Sequence, residues 1–371
     1  MKQITITVLM AFFVALQVFA ERVDMREAGV DNQEALKNTE IINNTINRLN
    51  KAGGGTLFFP SGDYLTASIH MKSNITLELE AGATLRFSDN FDDYMPFVEM
   101  RHEGVMMKSF QPLIYATDAE NITIKGEGKL DGQGKAWWKE FFRVLIDLRD
   151  NGKRDINKYQ PLFEQANDMK TLYAETNVDW HSTLDRRFLR PPFIQPLRCR
   201  NVRIEGITIV NSPFWTVNPN FCDNVTVKGV TINNVPSPNT DGINPESCSN
   251  VHISDCHISV GDDCITIKSG RDLQARKIGR PCENITITNC TMLSGHGGVV
   301  IGSEMSGGVK KVTISNCVFD GTDRGIRIKS TRGRGGVVED IRVSNVVMSD
   351  IKREAVVLNL KYSQMKMEKK S

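Results

Sequence analysis

The sequence has no large excess of charge of either sign, and it lacks several common functional motifs. Its 46 lysine and arginine residues nearly balance 44 aspartate and glutamate residues, which leaves a formal net charge of +2. This balance argues against a general nucleic-acid binder, although a local basic groove is compatible with it. We find no glycine-rich phosphate loop, no nucleophilic serine elbow and no Cys/His cluster with the spacing of metal ligands.

Long hydrophobic runs are also missing, except at the start of the chain. Lys2 precedes the nearly continuous apolar segment Ile4–Phe19, and Ala20 supplies a small residue at its end. This pattern predicts an export signal spanning residues 1–20, with the mature protein secreted or periplasmic and free of the membrane after cleavage. The run is also about long enough to cross a bilayer, so an uncleaved anchor is the alternative.

Cysteine is absent from the first half of the chain. An even number of cysteines in an exported protein permits disulfides, yet several of them recur at equivalent points of a repeat. A stack of small buried side chains explains that recurrence equally well. The eight residues are Cys199, Cys222, Cys248, Cys256, Cys264, Cys282, Cys290 and Cys317.

A repeat of two short apolar strands dominates the second half of the chain. Asn201–Ile204 is followed by Gly206–Ile209, and Asn224–Val227 is followed by Gly229–Ile232. Alternation places Val and Ile side chains on one face, while Gly, Asn or Asp permits a sharp bend between strands. Units this short bury their apolar face only by stacking on one another. Further copies start at Asn250, Asn284, Lys311 and Asp340, with looser ones at Asn74 and Asn121.

The repeat predicts an all-β fold, a single right-handed parallel β-helix over residues 21–371. A doubly wound α/β fold needs longer helices between strands, and a sandwich needs hairpins. Asn32–Lys51 has helical periodicity and is expected to cap the open end of the solenoid, with Thr56–Pro60 as the first strand. Residues from about 133 to 192 break the pattern and predict a partly helical insertion, which either walls a groove or packs outside.

Four polar elements interrupt the repeat at matching places. Asp262 and His296 fall at the same offset from the strand starts Asn250 and Asn284. Neighbouring coils stack about 4.8 Å apart, so we expect these elements to line up along one face. They are Asn239–Gly242, Gly261–Cys264, Gly295–Gly298 and Arg327–Lys329.

This face would bring together three carboxylates, a histidine, an arginine and a lysine. Carboxylates in a cluster repel, so at least one is expected to have a raised pKa and to hold a proton near neutral pH. The others can activate water, which is the division of roles that glycoside hydrolysis needs. The planar fork of Arg327 suits the carboxylate of an acidic substrate.

At this point the chain resembles glycoside hydrolase family 28, the polygalacturonases. The similarity extends from about residue 27 onward and includes Gly53–Tyr64, Leu79–Ala83 and Ser212–Trp215 beside the four polar elements. It implies inverting hydrolysis of α-1,4-linked galacturonic acid in pectin, without a cofactor or metal. The implied partner is a pectic polysaccharide or oligogalacturonide, with no nucleic acid involved, and the protein is expected to be a monomer.

The resemblance also implies a role for each residue. Asp262 would protonate the leaving oxygen, Asp241 and Asp263 would position and deprotonate water, and His296 would tune the acid. Inversion further predicts acid and base carboxyls about 6.5–9.5 Å apart. Arg327, Lys329 and Lys268 would bind substrate, and Tyr362 is the candidate for a tyrosine that the family contributes from a late coil.

Three alternatives remain at this stage. They are a hydrolase of another pectic backbone such as rhamnogalacturonan, a calcium-dependent polysaccharide lyase, and a non-catalytic β-helix. Ala355–Leu360 lies close to the last residue of the sequence, whereas family members usually continue for another coil, so an uncapped edge is expected there.

Overall fold

The computed structural model describes residues 20–152, 157–159, 161–162, 190–235 and 237–362. Residues 1–19 of the predicted signal segment lie outside the described residues, as does most of the second half of the predicted insertion. Within the described part, no helix is both long and apolar enough to cross a membrane.

The chain forms a right-handed parallel β-helix, which confirms the fold predicted from the repeat. The first strand of each unit pairs in parallel with that of the next coil, so the units stack in one direction. These strands are β1 (Glu21–Asp24), β2 (Gly55–Phe59), β5 (Ile75–Leu79), β10 (Glu120–Gly126), β13 (Arg200–Glu205), β15 (Asp223–Lys228), β17 (Ser249–Ser254) and β20 (Cys282–Thr288).

The second strands of the units form an adjoining parallel face across the bend. They are β3 (Gly62–Thr66), β6 (Ala83–Phe87), β11 (Lys129–Asp131), β14 (Thr208–Val210), β16 (Thr231–Asn233), β18 (His257–Ser259) and β21 (Thr291–Ser294). In the last two coils β23 (Val309–Asp320) and β25 (Val338–Ser349) run through both faces without a break.

A third face carries the polar elements. Isolated bridges at Val217 and Ile243 connect its two halves, so that Ile194, Val217, Ile243 and Ile265 stand in one column. Its strands are β4 (Ile69–His70), β9 (Ile114–Thr117), β12 (Ile194–Leu197), β19 (Asp263–Ile267), β22 (Gly297–Ile301), β24 (Ile326–Lys329) and β26 (Val356–Asn359).

The repeated asparagines adopt left-handed backbone conformations at the strand starts, with φ of 56° at Asn201 and 59° at Asn224. Their side chains form a hydrogen-bonded ladder; for example, Asn224 donates to Asn201 at 3.0 Å. The fold therefore fixes these asparagine positions. All eight cysteines are free and buried, which favours the stacked-side-chain interpretation over disulfides.

The N-terminal end is covered by α1 (Ala35–Lys51), whose Ile42, Ile46 and Leu49 are fully buried against the first coil. The predicted capping helix is thus present. The prediction of Thr56–Pro60 as the first strand was wrong, because Glu21–Asp24 precedes it and pairs in parallel with β2. That early strand is short and polar, so its sequence has no apolar alternation.

Two helices and a hairpin extend from the coils. Helix α2 (Lys135–Asn151) falls in the predicted insertion, and its Trp137 packs among Phe91, Tyr94 and Phe110. A shorter helix, α3 (Asp272–Ile278), follows the coil of β19. The antiparallel hairpin of β7 (Val98–His102) and β8 (Val105–Ser109) folds over the third face.

Candidate active site

Three aspartates meet on the third face, where two neighbouring coils place them side by side. Asp263 begins β19, and Asp241 occupies the equivalent place one coil earlier because Ile243 and Ile265 are bridged. Asp262 immediately precedes Asp263. One carboxylate oxygen of each residue lies within 4.8 Å of the others. The stacking predicted from the repeat therefore brings the three carboxyl groups together.

Two cations from a later coil face these carboxyls. The Lys329 ammonium donates to Asp263 Oδ2 at 2.6 Å, and the Arg327 guanidinium lies 3.9 Å from Asp263 Oδ1. The ring of Tyr362 lies beside both cations, 5.1 Å from the Arg327 guanidinium carbon and 4.9 Å from the Lys329 nitrogen. Arg327, Lys329 and Tyr362 thus lie together beside the carboxyl groups.

His296 and Asn239 contact Asp262 from the coils on either side. The His296 ring nitrogen Nδ1 lies 3.1 Å from Asp262 Oδ1, and the Asn239 amide donates to Asp262 Oδ2 at 3.4 Å. The guanidinium of Arg190, which is buried, donates to the Asn239 oxygen at 2.9 Å. Sequence reasoning did not identify Arg190, because it stands at the end of the irregular insertion with no repeat to locate it.

Lys268 lies inside the site wall and is only 3% exposed. Its ammonium contacts Glu304 Oε2 at 2.8 Å and Asp241 Oδ2 at 3.9 Å, and it lies 4.4 Å from the ring centre of Trp215. A contact between Lys268 and substrate remains a prediction. Glu304 was missed, because its loop follows β22 outside the repeated pattern.

The carboxyl groups differ in proton affinity. Burial, reinforced by the charge of Asp262, raises the pKa of Asp241 well above its ordinary value. Burial also favours a raised pKa for Asp262, but the hydrogen bond from His296 and the charge of Lys329 outweigh it and lower that pKa to about 2. The prediction of one raised carboxyl pKa therefore holds, but the raised value falls on Asp241 and not on Asp262.

The hairpin covers the third face over Gln195, Asn218 and Asn244, the last of which lies on the same coil as Asp241. Arg101 pairs with Glu246 at 3.4 Å, and both side chains are fully buried. The Gln195 amide donates to the Arg101 carbonyl at 2.8 Å, and the His102 ring stacks on Phe214 at 4.6 Å. Polar residues that would otherwise line a groove are covered on this side: Gln195, Asn218, Asn220, Asn244 and Glu246.

Beyond the acids the same face remains accessible. Val357 and Asn359 of the last coil are half-buried, and a cleft of about 370 Å³ opens beside His296, lined also by Asp323 and Lys352. A parallel β-helix whose stacked coils combine three carboxyls with Arg327 and Lys329 has the groups expected of the glycoside hydrolase class.

Comparison with known proteins identifies the family. Residues 177–371 match the model of glycosyl hydrolases family 28, and the chain belongs to this family. A probable polygalacturonase of Vitis vinifera is 32% identical over 334 residues, which cover 87% of this chain and 60% of that protein. An endo-polygalacturonase of Pectobacterium carotovorum is 30% identical over 80% of this chain and 65% of its own length.

A solved structure shows the same architecture. The exopolygalacturonase of Thermotoga maritima superimposes with a TM-score of 0.80 at 36% identity, covering 93% of this chain and 77% of the other. The chain spans 60% and 65% of the lengths of the two curated relatives described above.

Proposed function

We propose that this protein hydrolyses α-1,4-galacturonosidic bonds of polygalacturonate. The observation that carries the proposal is the position of Arg327 and Lys329, which stand beside three clustered carboxyls on adjoining coils. A galacturonate carboxylate bound by these cations lies next to the acid and base that hydrolysis requires. The polygalacturonase names of the two curated relatives support the same substrate.

In the proposed reaction the glycosidic C–O bond breaks as a carboxyl group protonates the leaving oxygen. A water molecule attacks the anomeric carbon and gives its proton to a carboxylate. The family resemblance assigns the acid to Asp262, whereas the raised pKa favours Asp241 as the proton carrier in the free protein. Carboxyl groups this close titrate together. One proton shared by Asp241 and Asp262 in the free protein is therefore compatible with either residue acting as the acid once substrate binds.

The nearest carboxylate oxygens of the three aspartates lie within 4.8 Å of one another, so their positions give no support of their own to the separation of about 6.5–9.5 Å expected for inversion. Inversion therefore rests on the family resemblance. Proton NMR of the first product settles it: hydrolysis of the α-linked substrate with inversion releases the β-anomer, and early α-anomer contradicts inversion.

We further propose that the enzyme attacks chain ends. Among the described residues, the hairpin covers Gln195, Asn218 and Asn244, whereas the face on the side of Arg327 is not covered by it. The name of the Thermotoga maritima relative, an exopolygalacturonase, agrees with this mode. A time course on polygalacturonate is expected to show monomer first, and an early ladder of mixed oligomers contradicts end attack.

The same assay separates the rival substrates and reactions. Faster release of reducing ends from rhamnogalacturonan than from polygalacturonate favours the other pectic backbone. Products with an ultraviolet-absorbing unsaturated ring identify a lyase.

We also propose that the protein is exported through residues 1–20 and acts as a monomer. N-terminal sequencing of the mature protein tests the first proposal, and light scattering tests the second.

A further inference from the structure

Lys268 lies between the carboxyl groups of Glu304 and Asp241, which are at different distances from its ammonium. Its ammonium is 2.8 Å from Glu304 Oε2 but 3.9 Å from Asp241 Oδ2. The Gly302 carbonyl accepts from the same ammonium at 3.5 Å, and the Trp215 ring covers it. The cation therefore makes its short ion pair with Glu304, although the catalytic cluster lies within its reach.

Glu304 is itself held by groups outside the catalytic cluster. The Ser303 hydroxyl donates to Glu304 Oε1 at 2.8 Å, and the Arg334 guanidinium lies 3.3 Å from the same oxygen. Arg334 also contacts Asp272 at 3.4 Å, and the Glu304 carbonyl accepts from the Ser269 amide at 2.7 Å. Charges of alternating sign thus run from Asp241 through Lys268, Glu304 and Arg334 to Asp272.

We propose that Glu304 is a positioning residue that draws Lys268 away from Asp241 and so keeps a proton on the acidic cluster. This inference rests on the proposed hydrolysis. Glu304 does not touch the reacting atoms; it acts through Lys268. Without the Glu304 charge, the ammonium can pair directly with Asp241, which stabilises the ionised carboxylate.

The surrounding charges support this effect. Burial raises the pKa of Glu304, but Lys268 and Arg334 outweigh it and hold that pKa well below its ordinary value, so the residue is ionised. Burial lowers the pKa of Lys268, but Glu304 and Asp241 outweigh it and raise that pKa. Other charged groups that act on Asp241, Lys268 or Glu304 are Asp262, Asp263, Lys329, Glu246 and Arg271.

The test compares Glu304→Gln with wild type in pH profiles of kcat/KM on polygalacturonate. The variant is expected to lose the proton on the acidic cluster at a lower pH than wild type does. The pH at which kcat/KM falls on the alkaline side should therefore drop by about one unit or more. Glu304→Asp keeps the charge and should restore most of the wild-type limb. Glu78→Gln is the matched control, because Glu78 pairs with Arg22 at 3.0 Å on the surface.

A crystal structure of Glu304→Gln gives a readout that does not depend on activity. Lys268 Nζ is expected to move to about 3 Å from an Asp241 oxygen. A reduced rate with an unshifted alkaline limb, or an ammonium that stays in place, overturns the inference. If wild type does not hydrolyse polygalacturonate, the proposed function fails, and the position of Lys268 in the variant still decides the role of Glu304.

Discussion

Lys329 donates a 2.6 Å hydrogen bond to Asp263 across the intervening coil of β22, and both side chains are buried. The residues are far apart in sequence, yet β19, β22 and β24 pair in register and hold them on one face. Asp263 raises the pKa of Lys329 against the opposing effect of burial. The cation therefore neutralises the carboxyl cluster, in addition to the contact with an acidic sugar that we propose for it.

Substitution of the three acids tests their individual roles. Asp241→Asn, Asp262→Asn and Asp263→Asn are each expected to lower kcat on polygalacturonate by about 100-fold or more while remaining folded. An aryl galacturonide, which has a good leaving group, should rescue the variant that lacks the general acid but not one that lacks the base. Circular dichroism checks the fold, and full activity in Asp262→Asn contradicts catalysis by this cluster.

Lys329→Ala removes both the proposed substrate contact and the partner of buried Asp263. We expect KM for polygalacturonate to rise and thermal stability to fall, because the Asp263 charge is left uncompensated. Lys228→Ala is the control, since Lys228 is exposed on β15. Unchanged KM and kcat in Lys329→Ala would remove the basis for an anionic substrate.

The His296–Asp262 pair makes stability depend on pH. The Asp262 pKa is lowered from 3.8 to about 2, so its contribution is present above pH 3.8 and is lost as pH falls through 2. Hydrogen bonding to Asp262 raises the pKa of His296 from 6.5, so that contribution is lost as pH rises through the higher folded value. His296→Gln should therefore lower urea midpoints most between about pH 4 and 6. An equal loss at pH 9 argues against the pair.

The hairpin is expected to depend on its buried ion pair. Glu246→Ala removes the buried carboxylate that pairs with Arg101 and should destabilise the protein by about 3–5 kcal/mol. Loosening of the hairpin should also add oligomers to the early products. Arg198→Ala breaks the half-exposed pairs with Glu99 and Asp118 and should cost less than about 1 kcal/mol. Similar unfolding midpoints for the two variants would contradict a stabilising role for the buried pair.

Reducing agent should not change stability. All eight cysteines are free and buried, so dithiothreitol is expected to leave the thermal midpoint within about 1 °C of the untreated value. Thiol titration of the unfolded, unreduced protein should report all eight groups. A lower midpoint after reduction, or missing thiols, would restore the disulfide interpretation.

Sequence patterns predicted those parts of the site that repeat with the coils. Matching offsets located Asp262 and His296, and Asp241 and Lys329 were located because their elements also interrupt the repeat. Glu304 and Arg101 were not predicted, because each reaches the site from a loop or hairpin whose position depends on long-range contacts. The carboxyl spacing and the raised pKa of Asp241 could not be predicted either, because the backbone of the stacked coils sets the first and burial causes the second.

The asparagine ladder joins coils of unequal length. Its members are separated by 23 residues between Asn201 and Asn224, 26 between Asn224 and Asn250, and 34 between Asn250 and Asn284. The additional residues of the 34-residue coil leave as α3, and the chain still returns to the same column at β20. The length of a loop can thus change without altering the distances between side chains on the stacked strands. Loops around the site can therefore vary in evolution while the carboxyl cluster keeps its dimensions.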